Sequence, residues 1–284
     1  MKVLDMDKIL KISKEELINT SEKEYDMQIN SLVNDILLKK KRIVLLSGPS
    51  GSGKTTTAKR IVKRLQEIGY SSIYLSMDNW FRTKSSYTLP LNEEGKPDYE
   101  SPLCVDIDLL NEDMKQLLEG KEINLPTFDF VSETMCYNGE TLKLKDLNSI
   151  IVLEGLHTLN DYVDIDRKFS YRVFVCPEDI CIKNNVEIFQ QEIRLYRRIN
   201  RDKLHRGRTL DKTVELFNSV CRGEELYLKP YLKDIDFNLN SFMDYEIFLH
   251  NTVLYGYGKL KNIPKYQVKI EDIPCDSIMT EFYI

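Results

Sequence analysis

The feature that most constrains this chain is a glycine-rich octapeptide with the pattern G-x-x-x-x-G-K-T. It reads Gly48-Pro49-Ser50-Gly51-Ser52-Gly53-Lys54-Thr55 and is followed by Thr56. Glycines at this spacing let the backbone curl so that successive N–H groups point inward at phosphate oxygens. Lys54 can reach the β and γ phosphates of a nucleotide, and the Thr55 hydroxyl can ligate Mg²⁺. The motif therefore predicts a magnesium–nucleoside triphosphate site formed by residues 48–56.

The residues on either side of the octapeptide meet the structural requirement of such a loop. Residues 42–47 form a short, apolar, β-branched run, which is typical of a strand buried in a parallel sheet. A helix with a regular apolar stripe follows from Thr55, and its positive N-terminal end would face the same phosphates. The alternative is a chance glycine-rich turn, which gives no reason for a Lys-Thr pair at its end.

Composition places the chain among soluble globular proteins. Of its 284 residues, 42% are hydrophobic and 30% are charged, which argues against a disordered, collagenous or coiled-coil protein. The longest apolar runs, such as residues 43–46, are far shorter than the roughly 20 residues of a membrane-spanning helix. The first residues are too acidic for a signal peptide. We expect a cytoplasmic protein without a membrane partner.

Charge and cysteine usage narrow the partners further. The chain has 40 Lys and Arg against 45 Asp and Glu, a net charge of −5, so it lacks a global positive field for nucleic acid. Its 6 cysteines contain no Cys-x-x-Cys pair, which disfavours structural zinc and a disulfide framework. We expect a small-molecule partner and no nucleic acid, and a homo-oligomer stays open.

Strand-like and helix-like segments alternate along the chain. Strands are expected at residues 42–47, 72–76, 149–153 and 171–175, with a short fifth strand at 236–239. Helices are expected from Thr55 and at residues 106–119, 186–205, 210–228 and 245–255. This alternation predicts an α/β fold with a mostly parallel sheet and helices on both faces.

Three regions are expected along the chain: a helical extension at residues 1–41, a phosphate-loop domain at 42–260, and a tail at 261–284. Residues 82–104 and 123–144 interrupt the alternation and indicate excursions from the sheet. In the second excursion, Asn138-Gly139 favours a hairpin turn. Neither the extension nor the tail has an assigned role, and both could cover the core or contact another subunit.

Two acidic residues follow expected strands. Asp78 comes just after the strand at residues 72–76, and Glu154 ends the strand at 149–153. Parallel strands bring their carboxyl ends to one edge, where ligands bind, and a magnesium–nucleotide site needs a carboxylate near the metal. Both residues are therefore candidates for the metal site. The alternatives are a helix N-cap for Asp78 and a solvent-facing strand end for Glu154.

Basic residues are concentrated between Arg194 and Arg208, although the whole chain is acidic. Arg194, Arg198 and Arg201 have the spacing of one helical face. Planar guanidinium groups suit phosphate oxygens and the charge that spreads during phosphoryl transfer. We expect a lid at residues 194–212 that hinges at Gly207. A solvated helix face and an RNA-binding patch are the alternatives.

These motifs together resemble the phosphoribulokinase and uridine kinase family of P-loop kinases, over residues 40–250. Besides the loop, the resemblance is carried by Ser76-Met77-Asp78-Asn79, Pro126-Thr127-Phe128-Asp129-Phe130, Leu153-Glu154-Gly155-Leu156-His157 and Arg197-Arg198-Ile199-Asn200-Arg201-Asp202. The likeness is strongest to bacterial uridine kinase-like nucleoside kinases. It implies the P-loop NTPase fold of nucleoside and nucleotide kinases, with a five-stranded core, a β-hairpin over the acceptor pocket and a helical lid.

The resemblance also implies an activity: transfer of the γ-phosphate of ATP or GTP to the 5′-hydroxyl of uridine or cytidine. Lys54 and Arg201 would act on the transferring phosphoryl group. By position, Asp78 matches the catalytic base, Thr55 and Glu154 the magnesium site, Arg198 and Arg201 substrate and phosphate contacts, Arg206 and Arg208 the lid, and Glu100 an Asp that holds the ribose hydroxyls.

Two positions depart from the pattern of pyrimidine kinases. Phe128 stands where those kinases have a Tyr, and Glu133 stands where they have a base-contacting His. A hydroxyl is lost at the first position, and a group that only accepts hydrogen bonds appears at the second. Both changes affect which base is accepted. A kinase of another small hydroxyl compound and a non-catalytic nucleotide-binding regulator therefore stay open as alternatives.

Overall fold

A parallel sheet of five strands forms the centre of the computed structural model, which describes residues 1–182, 186–254, 257–264 and 266–284. The described residues contain further short strands outside this sheet. In chain order, all the strands are β1 (Lys2–Leu4), β2 (Ile43–Ser47), β3 (Ser72–Ser76), β4 (Ile123–Asn124), β5 (Thr127–Asp129), β6 (Thr134–Cys136), β7 (Thr141–Leu142), β8 (Ile150–Glu154), β9 (Ser170–Cys176), β10 (Ile180–Ile182), β11 (Val186–Ile188) and β12 (Phe237–Asn240). The five expected strands correspond to β2, β3, β8, β9 and β12, which confirms the α/β prediction.

Helices connect these strands and cover both faces of the sheet. They are α1 (Met6–Ile9), α2 (Lys14–Leu38), α3 (Lys54–Glu67), α4 (Ile107–Leu118), α5 (Gln190–Arg206), α6 (Leu210–Tyr227), α7 (Glu246–Val253) and α8 (Thr280–Tyr283). The helix expected from residue 186 begins only at Gln190, because residues 186–188 pair with β10 instead. The helix expected at 245–255 ends at Val253, and residue 255 lies outside the described residues.

The strand order of the central sheet is β12-β9-β2-β8-β3, and every neighbouring pair is parallel. The chain leaves β2 toward β3 on one side and leaves β9 toward β12 on the other side. The strand order therefore reverses between β2 and β9, which is where open α/β sheets bind ligands. The glycine-rich loop follows β2 directly, so it lies at this position.

The alternation of side chains along β2 divides the core into two layers. Val44 and Leu46 pack into a cluster with α2 and α3, whereas Ile43 and Leu45 pack into a second cluster with α4 on the opposite face. All four side chains are buried, as expected for a strand covered on both sides. Apolar burial on both faces thus fixes the strand that carries the loop.

The excursion at residues 123–144 is one long hairpin in two paired segments, β4 with β7 and β5 with β6. The turn that closes this hairpin lies at residues 130–133, so the prediction that Asn138-Gly139 closes it is wrong. The chain does bend at Gly139, which has a φ of 85°. The Asp129 carboxylate accepts hydrogen bonds from the N–H groups of Val131 and Ser132, an Asx turn that closes the tip. Asn138 and Gly139 lie instead in the returning arm between β6 and β7.

The N-terminal region and the C-terminal tail both pack on the helix that follows the loop. Arg60 of α3 donates to Glu22 of α2 and to the carbonyl oxygen of Asp276. Residues 1–41 hold two helices and also the short strand β1, which pairs in parallel with β10. Within the described residues, each helix is too short or too polar to cross a lipid bilayer.

Candidate active site

The glycine-rich loop between β2 and α3 has a backbone that requires glycine. Gly51 and Gly53 have φ angles of 81° and 88°, in the left-handed region that residues with a Cβ rarely adopt. A Cβ on Gly48 would lie 2.2 Å from the carbonyl oxygen of Val175 in β9. Tight packing between the two central strands therefore excludes a side chain at Gly48.

Ser50 is the point at which α5 and α6 hold this loop. Its N–H donates to Glu224 Oε1 at 3.3 Å, its carbonyl oxygen accepts from Arg194 at 3.1 Å, and its hydroxyl accepts from Arg198. Arg194 and Glu224 are buried and are joined by hydrogen bonds of 2.6 and 2.8 Å. Sequence reasoning did not assign Glu224 a site role; the ion pair with Arg194 becomes visible only in the tertiary structure.

A second buried arginine supports the neighbouring residue of the loop. Arg197 donates to the carbonyl oxygen of Gly51 at 3.1 Å and makes hydrogen bonds of 2.8 and 2.9 Å to Glu246 of α7. Both side chains are fully buried, and Arg197 also donates to the Ser241 carbonyl at 2.7 Å. Two arginines of residues 194–208, which we call the arginine-rich segment, therefore support the backbone of the loop.

Glu154, at the end of β8, accepts hydrogen bonds from three hydroxyl groups. Its Oε1 accepts from Tyr74 at 3.0 Å, from Ser76 at 3.1 Å and from Thr55 at 3.3 Å. Burial raises the pKa of Glu154, and the nearby charge of Lys54 opposes this increase. The side chain is 5% exposed, so the alternative of a solvent-facing strand end does not hold. Tyr74 and Ser76 were missed, although their i, i+2 spacing places them on one face of β3.

Asp78 lies in the 3₁₀ turn Met77–Trp80 that follows β3. Ser76 caps this turn by accepting from the Asp78 N–H at 3.4 Å, so Asp78 itself is not the cap. Asp78 is exposed to solvent, yet the surrounding protein raises the pKa of its carboxylate by desolvation, against the charges of Lys54 and Arg206. Asp78 thus lies within electrostatic range of both Lys54 and Arg206.

The remaining arginines surround one buried carboxylate. Asp202 is fully buried and lies 3.8 Å from Arg198, 3.6 Å from Arg201, 3.2 Å from Arg206 and 3.3 Å from Arg208. Burial and the like charge of neighbouring arginines lower the pKa of Arg198, Arg201 and Arg206, although guanidinium groups stay charged at neutral pH. These four guanidinium groups share Asp202, and Glu100, Glu281 and Asp78 also act on them. Planar guanidinium groups of this kind suit phosphate oxygens.

Glu100 lies against Gly223 of α6. A Cβ on Gly223 would lie 2.4 Å from the Glu100 Cβ, so glycine is needed at this crossing. Burial raises the pKa of Glu100 to about 7, with Arg198 opposing the shift and Glu224 adding to it. The structure thus brings Glu100 to the edge of the arginine-rich segment.

Asp98 holds the excursion that carries Glu100. It is buried and accepts from Tyr227 at 2.8 Å, from Arg222 at 3.1 Å and from the Glu100 N–H at 3.3 Å. Sequence reasoning missed Asp98, because its partners on α6 lie more than 120 residues away along the chain. Nothing in the local Pro-Asp sequence distinguishes it from an ordinary turn residue.

The long hairpin supplies an aromatic wall next to Asp78. Strand β5 contacts the 3₁₀ turn Met77–Trp80, and the Phe128 ring lies 5.4 Å from Phe81 and 5.0 Å from Phe130 between centroids. Glu133, at the hairpin tip, is engaged in an ion pair with Lys84. At these two positions the structure therefore has an apolar ring and a neutralised carboxylate.

The oxygen groups near the loop fit Mg²⁺. The Thr55 hydroxyl and the Glu154 carboxylate lie within hydrogen-bond distance of each other, and the charge of Asp78 helps to raise the pKa of Glu154. Among the described residues, no group of three His, Cys, Asp or Glu could hold a metal unaided. Magnesium needs no such cage, because it keeps several waters and binds one or two carboxylates together with substrate phosphates.

Lys54 and Thr56 are the first and third residues of α3, directly after the loop. The Lys54 ammonium group donates to the carbonyl oxygen of Pro49 at 3.2 Å, so it lies over the loop. The Thr56 N–H and hydroxyl both donate to Glu281 of the C-terminal tail. Sequence reasoning gave this tail no role, and its position next to the loop is a result of the tertiary structure.

Comparisons with known proteins show which sequences and structures this chain is similar to. A uridine kinase of Staphylococcus aureus (strain JH9) is 30% identical over 200 residues, which are 70% of this chain and 87% of that protein. The solved structure of a possible uridine kinase from Bacillus stearothermophilus superposes with a TM-score of 0.53 at 20% identity, covering 76% of this chain and all of that one. A D-glycerate 3-kinase from Cryptococcus neoformans gives a TM-score of 0.50 at 14% identity, covering 72% and 90% of the two chains.

The two structural likenesses show a shared fold. The model of the phosphoribulokinase/uridine kinase family matches residues 43–247. That range contains the glycine-rich loop, Asp78, Glu154 and the arginine-rich segment. The chain is therefore a P-loop kinase that belongs to the phosphoribulokinase and uridine kinase family.

Proposed function

We propose that the chain phosphorylates the 5′-hydroxyl of a nucleoside, with ATP or GTP as donor and Mg²⁺ as cofactor. The observation that carries this proposal is the position of Asp78. Its exposed carboxylate lies in the turn after β3, within electrostatic range of Lys54 and Arg206, where an acceptor hydroxyl would meet the γ-phosphate. The relatives named uridine kinase support the nucleoside as acceptor.

The loop, Asp78 and the arginines around Asp202 each have a distinct role in this reaction. The loop amides and Lys54 bind the phosphates, and Asp78 orients the acceptor hydroxyl and takes its proton. The arginines around Asp202 neutralise charge as the phosphoryl group moves. Mg²⁺, held near Thr55, Glu154 and Asp78, would neutralise the phosphate oxygens. Most of the acceleration would come from positioning and electrostatics.

Glu100 would hold the sugar of the acceptor. A carboxylate accepts hydrogen bonds from two neighbouring hydroxyls, and Glu100 is fixed against α6 by the crossing at Gly223. The Asp98 cluster holds the same excursion in place. This arrangement supports an acceptor with a vicinal diol.

A second candidate is a kinase of another small hydroxyl compound. Phe128 lacks a hydroxyl, and the Glu133 carboxylate is already engaged by Lys84. Neither group offers the donor that reads a pyrimidine edge, and specificity for a polar edge depends on matched hydrogen bonds. This observation favours an acceptor whose outer part is apolar or differs from uracil and cytosine.

The experiment is an acceptor panel with labelled ATP or GTP and Mg²⁺. The panel contains uridine, cytidine, purine nucleosides, deoxyribonucleosides, and sugar and acid acceptors without a base. Phosphorylation of ribonucleosides at O5′ supports the proposal. Phosphorylation of a base-free acceptor alone moves the assignment to the second candidate. Donor binding without any phosphorylated product, across the panel, would make the chain a nucleotide-binding regulator.

A further inference from the structure

The last residues of the chain are packed beside the phosphate loop. Ile278, Met279 and Phe282 are fully buried, and the Tyr283 hydroxyl accepts from Asn200 of α5 at 2.8 Å. The nearest atoms to a Cβ built on Gly53 belong to Ile278, at 3.7 Å. The backbone of this tail is therefore fixed against α3 and α5 at the point where the loop becomes a helix.

One acidic side chain of the tail reaches the loop itself. The carboxylate of Glu281 accepts from the Thr56 N–H at 3.3 Å and from the Thr56 hydroxyl at 3.0 Å. Its charge also acts on the guanidinium of Arg201 and opposes the burial that lowers the pKa of that group. An internal anion thus contacts the helix N-terminus and acts electrostatically on the arginine-rich segment.

These donors are ones that a nucleotide needs. The first N–H groups of a helix have no partner within the helix, and in this loop motif they cradle the α and β phosphates. Thr56 is the third residue of α3, so its N–H belongs to that set. A phosphate and a carboxylate cannot share it, because like charges at hydrogen-bond distance repel strongly.

We propose that Glu281 is a built-in competitor for the α-phosphate of the donor nucleotide and lowers the affinity of the loop for it. Binding of the donor requires the Glu281 carboxylate to leave Thr56. The half-buried side chain can rotate away, whereas the backbone is held by its buried neighbours. The inference rests on the phosphate loop taking a nucleotide and does not depend on the identity of the acceptor.

The test is binding of ADP and of inorganic pyrophosphate, each with Mg²⁺, to the full chain by calorimetry. Glu281→Ala is expected to bind ADP about tenfold more tightly, the gain from removing a competing state that is populated about nine-tenths of the time. Glu281→Gln, which keeps the shape without the charge, is expected to gain less, about threefold. Pyrophosphate is expected to gain little in either variant, because it can bind at the β and γ positions alone.

Glu271→Gln is the matched control, since Glu271 is an exposed carboxylate of the same tail and should leave both affinities unchanged. Unchanged or weaker ADP binding in both Glu281 variants would overturn the proposal. Equal gains for ADP and pyrophosphate would also overturn it, since they would indicate a general charge effect rather than competition at one phosphate. A negative acceptor panel would leave this result intact, because ADP binding is measured without an acceptor.

Discussion

Arg197 and Glu246 form a fully buried ion pair, and the same guanidinium holds the carbonyl oxygen of Gly51 in the phosphate loop. The electrostatic environment of the pair keeps the pKa of Glu246 low despite burial, mainly through the charge of Arg197. The conformation of the loop therefore depends on a charge on α7, nearly 200 residues later in the chain. The stability of the loop and the stability of the C-terminal half are consequently linked.

Glu246→Gln should destabilise the protein by about 3–5 kcal/mol, because it leaves the Arg197 charge buried without its partner. We expect this variant to unfold at a lower urea concentration than wild type and, while folded, to bind ADP more weakly. Glu94→Gln, which removes an exposed partner of Lys96, is the control and should leave the urea midpoint unchanged. A Glu246 variant as stable as wild type would show that the pair does not support the loop.

Asp78→Asn should lower turnover by about 10²–10⁴-fold while ADP still binds, because an amide cannot accept the proton of the acceptor hydroxyl. The measurement pairs steady-state rates with calorimetric ADP binding. Asp108→Asn, a change at an exposed carboxylate in the first turn of α4, should leave both values at wild-type level. Near-normal turnover in Asp78→Asn would remove Asp78 from the role of base.

The pKa of about 7 at Glu100 predicts a pH dependence of acceptor use. The carboxylate form accepts hydrogen bonds from ribose hydroxyls, so kcat/KM for the acceptor should fall as pH drops below about 7. In Glu100→Gln this inflection should disappear, and kcat/KM should be low at every pH. An inflection that persists in the variant would assign the titration to another group.

The same shift has a consequence for stability. The unfolded carboxyl titrates near its ordinary value of 4.5, below the folded value of about 7. Between these values only the folded chain retains the proton, so the free energy of unfolding falls as pH rises from about 4.5 to 7. Glu100→Gln removes this loss. Relative to wild type, the variant should therefore gain more in thermal stability at pH 8 than at pH 5.

Gly223→Ala should weaken acceptor binding without affecting the donor. The new Cβ would lie 2.4 Å from the Cβ of Glu100, so the excursion must shift away from α6. We expect the KM for the acceptor to rise about tenfold, because the shift that relieves this contact moves the Glu100 carboxylate away from its position. The affinity for ADP should stay unchanged. Ser219→Ala, at an exposed position of the same helix, controls for changes in α6. An unchanged acceptor KM would argue against Glu100 as a sugar contact.

The sequence was sufficient to predict those features that depend on neighbouring residues in the chain, namely the glycine-rich loop, the buried strand before it and the acidic residues at strand ends. The glycines of residues 48–53 are required by positive φ angles and close strand packing, and β2 is a strand because it is apolar on both faces. Asp78 and Glu154 were predicted to lie at one edge because parallel strands align their carboxyl ends. The misplaced hairpin turn shows the limit, since Asn138-Gly139 has the local signal but the Asx turn at Asp129 closes the hairpin.

The supporting residues could not be found in this way, because each depends on a partner distant in the chain. Glu224 is identified by Arg194 and Ser50, Asp98 by Tyr227 and Arg222, and Glu281 by Thr56. By itself, the sequence determined a phosphate loop in an α/β kinase of this family, because the glycine spacing of that motif sets the backbone conformation of the loop. The tertiary structure alone decided which charges hold the loop and which one competes for it, because ion pairs form between side chains that only folding brings together.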